Sequence, residues 1–304
     1  MDDLVVLQVV GLKKKISRKW ILRKVDFSVK KNTCHLILGP NGAGKTTTLK
    51  CILGIYKKYS GKIIFEGKDI RKVKTTLSIG YVPEVPYPLH GFKVREFLEM
   101  LARAAKKDWK FWLEEFGLWE QRSEPVHRLS KGQRKRLYFA AAFLLEPELL
   151  VLDEPFSGID VDSLVQVKEL IKRWLKERRS TFLLTSHLLA EVEELVDEVT
   201  VILNGTSVIT VSVQKLLSTV QLQYELVFSQ PINKQLLEML ESRLVVKDVR
   251  RRSVVVEVPR DRLPSLYELL AELRESCPVE VRLVSGSLYQ LYKILRENVR
   301  SAAS

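Results

Sequence analysis

Three cysteines in 304 residues, Cys34, Cys51 and Cys277, are too few and too far apart for a disulfide framework or a C-x-x-C metal knuckle. Sparse, odd usage of this kind suits small buried apolar residues in a reducing compartment. Long hydrophobic runs are also missing: nothing approaches the ~20 apolar residues that a membrane-crossing helix needs. The first ten residues, MDDLVVLQVV, have neither a basic leader region nor a small-residue cleavage site. Together these absences predict a cytoplasmic protein. Internal repeats of solenoid period and low-complexity tracts are absent too. Acidic residues are in short supply, 37 against 50 Lys and Arg, for a net charge of +13. The shortfall is uneven: residues 219–304 carry 13 basic and 11 acidic residues, the first 218 carry 37 and 26. Runs such as Lys13-Lys14-Lys15, Lys57-Lys58, Lys106-Lys107 and Arg178-Arg179 suit nucleic acid or anionic headgroups, although most such runs are solvated faces. A hydrophobic content of 46% with 29% charged residues excludes disorder, and the length allows one large or two ordinary domains.

What is present is organised around Gly39-Pro40-Asn41-Gly42-Ala43-Gly44-Lys45-Thr46-Thr47. This stretch lies between a strand-like apolar run, 34–38, and a helix-like run from Lys45 through Tyr56, and in that setting its G-x-x-x-x-G-K-T pattern is a P-loop. The residue types follow from a polyphosphate ligand. Gly42 and Gly44 remove side chains where backbone amides must turn toward anionic oxygen. The positive end of the following helix adds typically ~0.3–1 kcal/mol per well-placed charge. Lys45 is expected to reach the β- and γ-phosphates, and Thr46 to ligate Mg²⁺.

Upstream, residues 4–10 and 20–29 predict two strands flanking a basic turn. Downstream, Ser60-Gly61 signals a turn before a strand at 62–67, and another strand is expected at 78–82. Pro83, Pro86 and Pro88 then break regular structure. Apolar spacing predicts helices over 92–107, 107–116 and 133–145, so residues about 88–140 read as a helical insertion. The run 149–152, ending in Asp153-Glu154-Pro155, has the form of a buried parallel strand with charge at its carboxyl end, where ligands bind. A helix near 164–175, a strand at 181–185, a helix at 188–196 and a strand at 199–203 continue the alternation, which argues for an α/β fold with a mostly parallel sheet. A second unit is expected over 219–304. Its β-α-β-β-α-β order, with helices at 234–241 and 264–275 and a final helix from Leu288, predicts a smaller α+β, ferredoxin-like domain.

One P-loop leaves many nucleotide-binding families open, but further motifs follow it: Leu129-Ser130-Lys131-Gly132-Gln133 ahead of a helix, LLVLDEP at 149–155, Ser157-Gly158-Ile159-Asp160, and Thr185-Ser186-His187. In order and spacing they resemble the ATP-binding subunits of ABC transporters, over residues 4–215. The resemblance implies a P-loop NTPase domain of the ABC cassette type over 1–218, with a mixed or parallel core sheet plus a helical subdomain, acting as an ATPase with ATP and Mg²⁺. Gly39, Pro40, Asn41, Gly42, Ala43, Gly44, Lys45, Thr46 and Thr47 then cradle the phosphates. Asp153 matches the carboxylate that holds Mg²⁺, and Glu154 the general base, a role that contributes typically ~10²–10⁴ in rate. His187 matches the residue that contacts the γ-phosphate. Ser130, Gly132 and Gln133 match the signature loop, which in this family closes over ATP held by the other subunit of a head-to-tail dimer; Asp160 is also placed at the nucleotide.

Three positions depart from the family pattern. Lys131 replaces a signature glycine. Glu84, in Tyr81-Val82-Pro83-Glu84, stands where a glutamine usually links Mg²⁺ to the membrane subunit, and it is expected to reach the metal through water. The usual adenine-stacking aromatic falls at Ile16, which cannot stack; Trp20 substitutes only if the turn bends. The Y-V-P-E form and the C-terminal unit look like the exporter branch for drugs, polysaccharides or small peptides, whose membrane subunits are encoded apart, and the tail 283–292, with Tyr289 and Tyr292, resembles the end of that branch's accessory domain. The implied partners are a separately encoded transmembrane permease and a second ATPase subunit, identical or paralogous, at the cytoplasmic face of the membrane. The rival reading, a soluble ABC-type ATPase acting on nucleic acid or ribosomes, suits the basic charge. It fits less well, because the chain has neither two cassettes nor an inserted coiled coil.

Overall fold

The computed structural model describes residues 4–72, 78–177, 179–187, 192–213, 222–258, 269–270 and 278–285. The chain divides into two compact units, Met1–Val211 and Ser212–Ser304.

The first unit is built on ten strands: β1 (Val5–Ile16), β2 (Lys19–Lys30), β3 (Cys34–Leu38), β4 (Ser60–Phe65), β5 (Lys68–Asp69), β6 (Ile79–Val82), β7 (Leu149–Asp153), β8 (Thr181–Ser186), β9 (Glu198–Leu203) and β10 (Thr206–Ser212). They form one sheet in the order β5-β4-β1-β2-β10-β9-β3-β8-β7-β6. Strands β9, β3, β8, β7 and β6 run parallel, whereas β1 pairs antiparallel with both β2 and β4. The sheet is therefore mixed rather than mostly parallel. Every residue of β3, β7 and β8 is buried, which is why these strands read as continuous apolar runs.

The expected basic turn is strand instead. Lys13-Lys14-Lys15 lies within β1, and the chain reverses at Ser17 and Arg18, whose φ angles of 47° and 68° make a two-residue hairpin turn without glycine. The run of lysines masked the strand pattern, although Lys13 and Lys15 point to solvent at alternate positions of β1.

The helices of this unit are α1 (Lys45–Ile52), α2 (Val94–Ala105), α3 (Lys110–Glu115), α4 (Lys131–Leu144) and α5 (Val161–Lys176). Helix α1 stops four residues short of Tyr56, because Gly54 takes a φ of 70° and turns the chain. The helix expected at 188–196 is described only from Val192, where Glu193–Leu195 forms a single 3₁₀ turn; residues 188–191 lie outside the described residues. Rings of Trp112, Phe116, Phe139, Phe143, Trp174 and Phe182 pack α3, α4 and α5 against β8, with Phe143 and Trp174 edge-to-face at 4.6 Å.

The second unit contains β11 (Leu222–Val227), α6 (Lys234–Arg243), β12 (Val245–Val249), β13 (Ser253–Val258) and β14 (Glu280–Ser285). Its sheet is antiparallel in the order β12-β13-β11-β14. Leu226, Phe228, Val254, Val256 and Val258 alternate onto one face and pack with Leu240 of α6 and with Leu269. Asn233 caps α6 by accepting from the Leu236 amide. The helix expected at 264–275, apart from residues 269–270, and the helix from Leu288, with Tyr289 and Tyr292, lie outside the described residues.

Candidate functional site

The site forms where β3, β7 and β8 deliver their carboxyl ends side by side, Leu38 against Ser186 and Asp153 against Thr185. Chain leaving β3 must turn sharply into α1, and it does so through Gly42 (φ 81°) and Gly44 (φ 108°). A Cβ on Gly44 would fall 2.5 Å from Leu22 Cδ2, so both conformation and space require glycine there. The resulting loop lines a cleft of about 340 Å³ with Pro40, Asn41, Gly42, Gly44, Lys45, Thr46 and Thr47. Ile21, Glu84, Glu154 and His187 complete its wall. Gly39 and Ala43 lie beneath: a Cβ on Gly39 would strike the Ile202 carbonyl at 2.4 Å, and the Ala43 amide donates to Pro40 O.

Lys45 is almost wholly buried and donates from Nζ to Gly39 O at 2.8 Å. The same ammonium lies 3.1 Å from Glu154 Oε1, an ion pair outside hydrogen-bond geometry, since that oxygen has no hydrogen-bond partner. Glu154 Oε2 is 2.9 Å from His187 Nδ1. One carboxylate is thus shared between the phosphate-loop lysine and the histidine. Thr46 Oγ1 donates to Asp153 Oδ1 at 3.1 Å, and Thr185 Oγ1 donates to the same oxygen at 2.6 Å. Thr185 also accepts from the Glu154 amide at 2.9 Å, locking the two adjacent carboxylates to the neighbouring strand. Among the described residues no three His, Cys, Asp or Glu side chains gather as a metal cage. Thr46 and Asp153 instead offer an all-oxygen pair of the kind that Mg²⁺ takes when phosphate and water supply the remaining ligands.

Glu154 has a φ of 43°, unusual for a residue with a side chain. Its carbonyl accepts from Nζ of Lys135, which also donates to the carbonyls of Pro83 and Glu84. Lys135 is 1% exposed. Burial, the largest influence, pushes its ammonium down to about 8, while Asp153 and Glu84 oppose that shift.

The signature residues are placed elsewhere. Ser130 caps α4, with its hydroxyl accepting from the Gln133 amide and its own amide donating to Gln133 Oε1. Asp160 caps α5 by accepting from both the amide and the hydroxyl of Ser163, which hold its carboxyl below the usual range. Gly132 faces Asp160, its Cβ position lying 3.7 Å from Oδ2, so these two motifs meet each other. Ser130, Gly132, Gln133 and Asp160 do not line the phosphate-loop cleft of their own chain.

A second cleft of about 440 Å³ shares Ile21 and Gly42 with the first and is lined further by Lys19, Trp20, Arg23 and Asn204. Trp20 is 41% exposed, and Lys15 Nζ lies 4.4 Å from its ring centre. Ile16 lines neither cleft.

Sequence reasoning missed Thr185 as a tether and Lys135 altogether. Thr185 was legible as the polar residue level with Asp153 on the next strand. Lys135 was not, because Arg134-Lys135-Arg136 reads as a solvated basic run.

A profile of the ABC transporter family matches residues 22–157. The uncharacterized ABC transporter ATP-binding protein YdbJ of Bacillus subtilis (strain 168) is 32% identical over 271 residues, covering 87% of this chain and 87% of its own. The Nod factor export ATP-binding protein I of Ralstonia nicotianae is 34% identical over 212 residues, 67% of this chain and 66% of that protein. A solved ATP-binding subunit of an ABC transporter aligns with a TM-score of 0.63 at 28% identity, over 69% of this chain and 91% of its own. With the P-loop and Glu154 already assembled in one cleft and Asp153 bonded to Thr46, these likenesses settle the family: the chain belongs to the ATP-binding proteins of ABC transporters and is an ATPase of that family.

Proposed function

We propose that this chain powers export through a separately encoded membrane permease, by hydrolysing MgATP at two sites shared between paired ATPase subunits, identical or paralogous. The observation that carries the reading is the convergence of Lys45, Thr46, Glu154 and His187 on one cleft, with Asp153 hydrogen-bonded to Thr46 at its wall, while the signature residues stay outside it. In this reading the loop amides and Lys45 hold the phosphates. Thr46 and Asp153 hold Mg²⁺, with Glu84 reaching it through water; the ion, when bound, screens the charge of the β- and γ-phosphates. Glu154 takes the proton of the attacking water, and His187 orients that carboxylate and contacts the γ-phosphate. Ser130, Gly132, Gln133 and Asp160 close over the nucleotide of the second subunit, where the start of α4 presents amides to an anion.

Adenine stacks on Trp20, which lines the cleft next to the phosphate loop where Ile16 does not. The Tyr81-Val82-Pro83-Glu84 form and the likeness to a Nod factor export protein support export over uptake. No helix among the described residues is long and apolar enough to cross a membrane, which is consistent with work at the cytoplasmic face through a permease. Residues 1–218 serve as the ATPase domain, with the helical insertion about 88–140. Residues 219–304 form an accessory domain; its strand order of second, third, first and fourth supports a ferredoxin-like fold.

The test is specific activity against enzyme concentration. A site shared between subunits gives a rate per chain that rises with concentration and then saturates, and chelation by EDTA abolishes it. Constant specific activity on dilution of a protein that sizes as a monomer would reject the shared site.

A further inference from the structure

We propose that Lys135 is a positioning residue for ATP hydrolysis, fixing the backbone of Glu154 and of the Pro83-Glu84 turn so that both carboxylates are held in register with the phosphate loop. This rests on the reading of Glu154 as the general base. Strands β6 and β7 pair in parallel up to Val82 and Leu152, and beyond that point the two chains diverge, so the carbonyls just past the ladder lose their strand partners. Buried carbonyls need donors. Nζ of Lys135 supplies three at once, to Pro83 O at 3.0 Å, Glu84 O at 3.0 Å and Glu154 O at 3.1 Å, which uses every proton of an ammonium group.

A purely structural plug would not need a lysine. Burying an ammonium is costly, and an apolar side chain with the carbonyls turned aside fills such space more cheaply. What the lysine secures is geometry. Glu154 sits in the left-handed region, a conformation that persists only when its surroundings hold it. Its amide is held by Thr185 and its carbonyl by Lys135, so the two bonds clamp the peptide groups on either side of the Glu154 α-carbon. The side chain that leaves this fixed α-carbon meets Lys45 and His187. Lys135 also belongs to α4, the helix that Ser130 caps. The signature helix is therefore fastened directly to the backbone of the general base and to the turn that carries Glu84. A displacement of the helix is transmitted to both without passing through flexible side-chain tips.

The experiment compares Lys135→Met, which keeps length and loses all donors, with Lys135→Gln, which keeps two. Steady-state kcat, nucleotide affinity by fluorescence of a labelled ATP, and thermal melting are read on the full chain. Lys135→Met is expected to lower kcat about 100-fold, the scale of a ~1 Å misplacement of a reacting group, with affinity within about threefold of the parent. Lys135→Gln is expected to recover about tenfold of that loss through its remaining N–H donors. A kcat for Lys135→Met within about threefold of the parent overturns the proposal, as does loss of kcat and of affinity in step, which marks a structural role alone. If Lys135→Met does not fold, Lys135→Gln decides: lowered kcat at parental affinity supports the proposal, and parental kcat or joint loss overturns it. Glu154→Gln, run alongside, separates the two readings. Full turnover there removes Glu154 as the base, whereas an inactive Glu154→Gln beside a fully active Lys135→Met rejects only the role of Lys135.

Discussion

Lys45 Nζ and Glu154 Oε1 stand 3.1 Å apart, with side chains only 6% and 8% exposed. The cation expected to bind phosphate and the carboxylate expected to take a proton from water are thus paired with each other at one end of the cleft. In the proposed mechanism a polyphosphate seated on the loop competes with Glu154 for that ammonium, which would couple the arrival of ATP to the release of the base.

Removing the charge of Glu154 while keeping its shape isolates this step. Glu154→Gln is expected to bind MgATP at least as tightly as the parent and to lose ~10²-fold or more of turnover, the scale of a positioned general base. Trapped at that point, it elutes as a dimer in ATP and as a monomer without it. A monomer in ATP with full activity contradicts both the base and the shared site.

Ser130→Arg separates the two halves of the proposed site. The change removes a helix cap, worth typically ~1 kcal/mol, and places a bulky cation where the second subunit's nucleotide is expected. Hydrolysis falls at least tenfold while ATP affinity of the isolated chain stays within about threefold, because Ser130 does not line its own cleft. Ser130→Asn, which retains the cap, reports the contribution of capping alone. Equal loss of affinity and turnover in Ser130→Arg points to a site completed within one chain.

Trp20→Ala tests the base platform. Stacking on an aromatic ring is worth ~1–3 kcal/mol per base, so ATP affinity falls about fivefold to more than a hundredfold, while inorganic tripolyphosphate, which has no base, binds unchanged. Ile16→Ala, on the adjoining strand end, leaves both affinities as they were. Equal weakening of tripolyphosphate binding by Trp20→Ala would show that the loop itself had moved.

Acid is expected to destabilise the first unit through His35. This ring is fully buried on β3, stacked on Phe27, with Nε2 against Thr200 Oγ1 and Glu198 3.6 Å from Nδ1, beyond hydrogen-bond length. Burial lowers its pKa below the usual 6.5, outweighing Glu198. A lowered folded value means that the unfolded chain binds the extra proton first. The contribution of His35 is therefore complete above about pH 6.5 and is lost as pH falls from there toward the folded value. His35→Gln, although less stable at neutral pH, should show a flatter melting temperature between about pH 7 and the carboxylate range. An unchanged slope assigns the acid sensitivity elsewhere.

The phosphate loop and the Asp153-Glu154 strand end were legible because each is a local pattern at the end of a buried strand, whereas His187 was reached only through the family resemblance. The extent of β1 and β2 was not, since the Lys13-Lys14-Lys15 run hides a hairpin whose turn is only Ser17-Arg18. The strand order was not either: which strands neighbour which depends on contacts between segments far apart in the chain. Lys135 illustrates the limit most clearly. Between Arg134 and Arg136 its chemistry is the same as theirs, and only the packing of α4 against the ends of β6 and β7 takes one of the three out of water.

By itself the sequence determined the class of ligand, because glycine at the tight turns, lysine and threonine at the helix start, and paired carboxylates after an apolar run are required by phosphate chemistry wherever the chain goes, and it pointed to the family through the order and spacing of the motifs that follow the phosphate loop. The tertiary structure decided the rest. It brought β3, β7 and β8 level so that Lys45, Thr46, Glu154 and His187 face one cleft with Asp153 bonded to Thr46 behind it, set Ser130 and Asp160 outside it, and placed Trp20, not Ile16, in the adjoining cleft. The physical reason is that residue chemistry is carried by the chain locally, whereas distances between residues a hundred positions apart are fixed only when strands pair and their side chains pack.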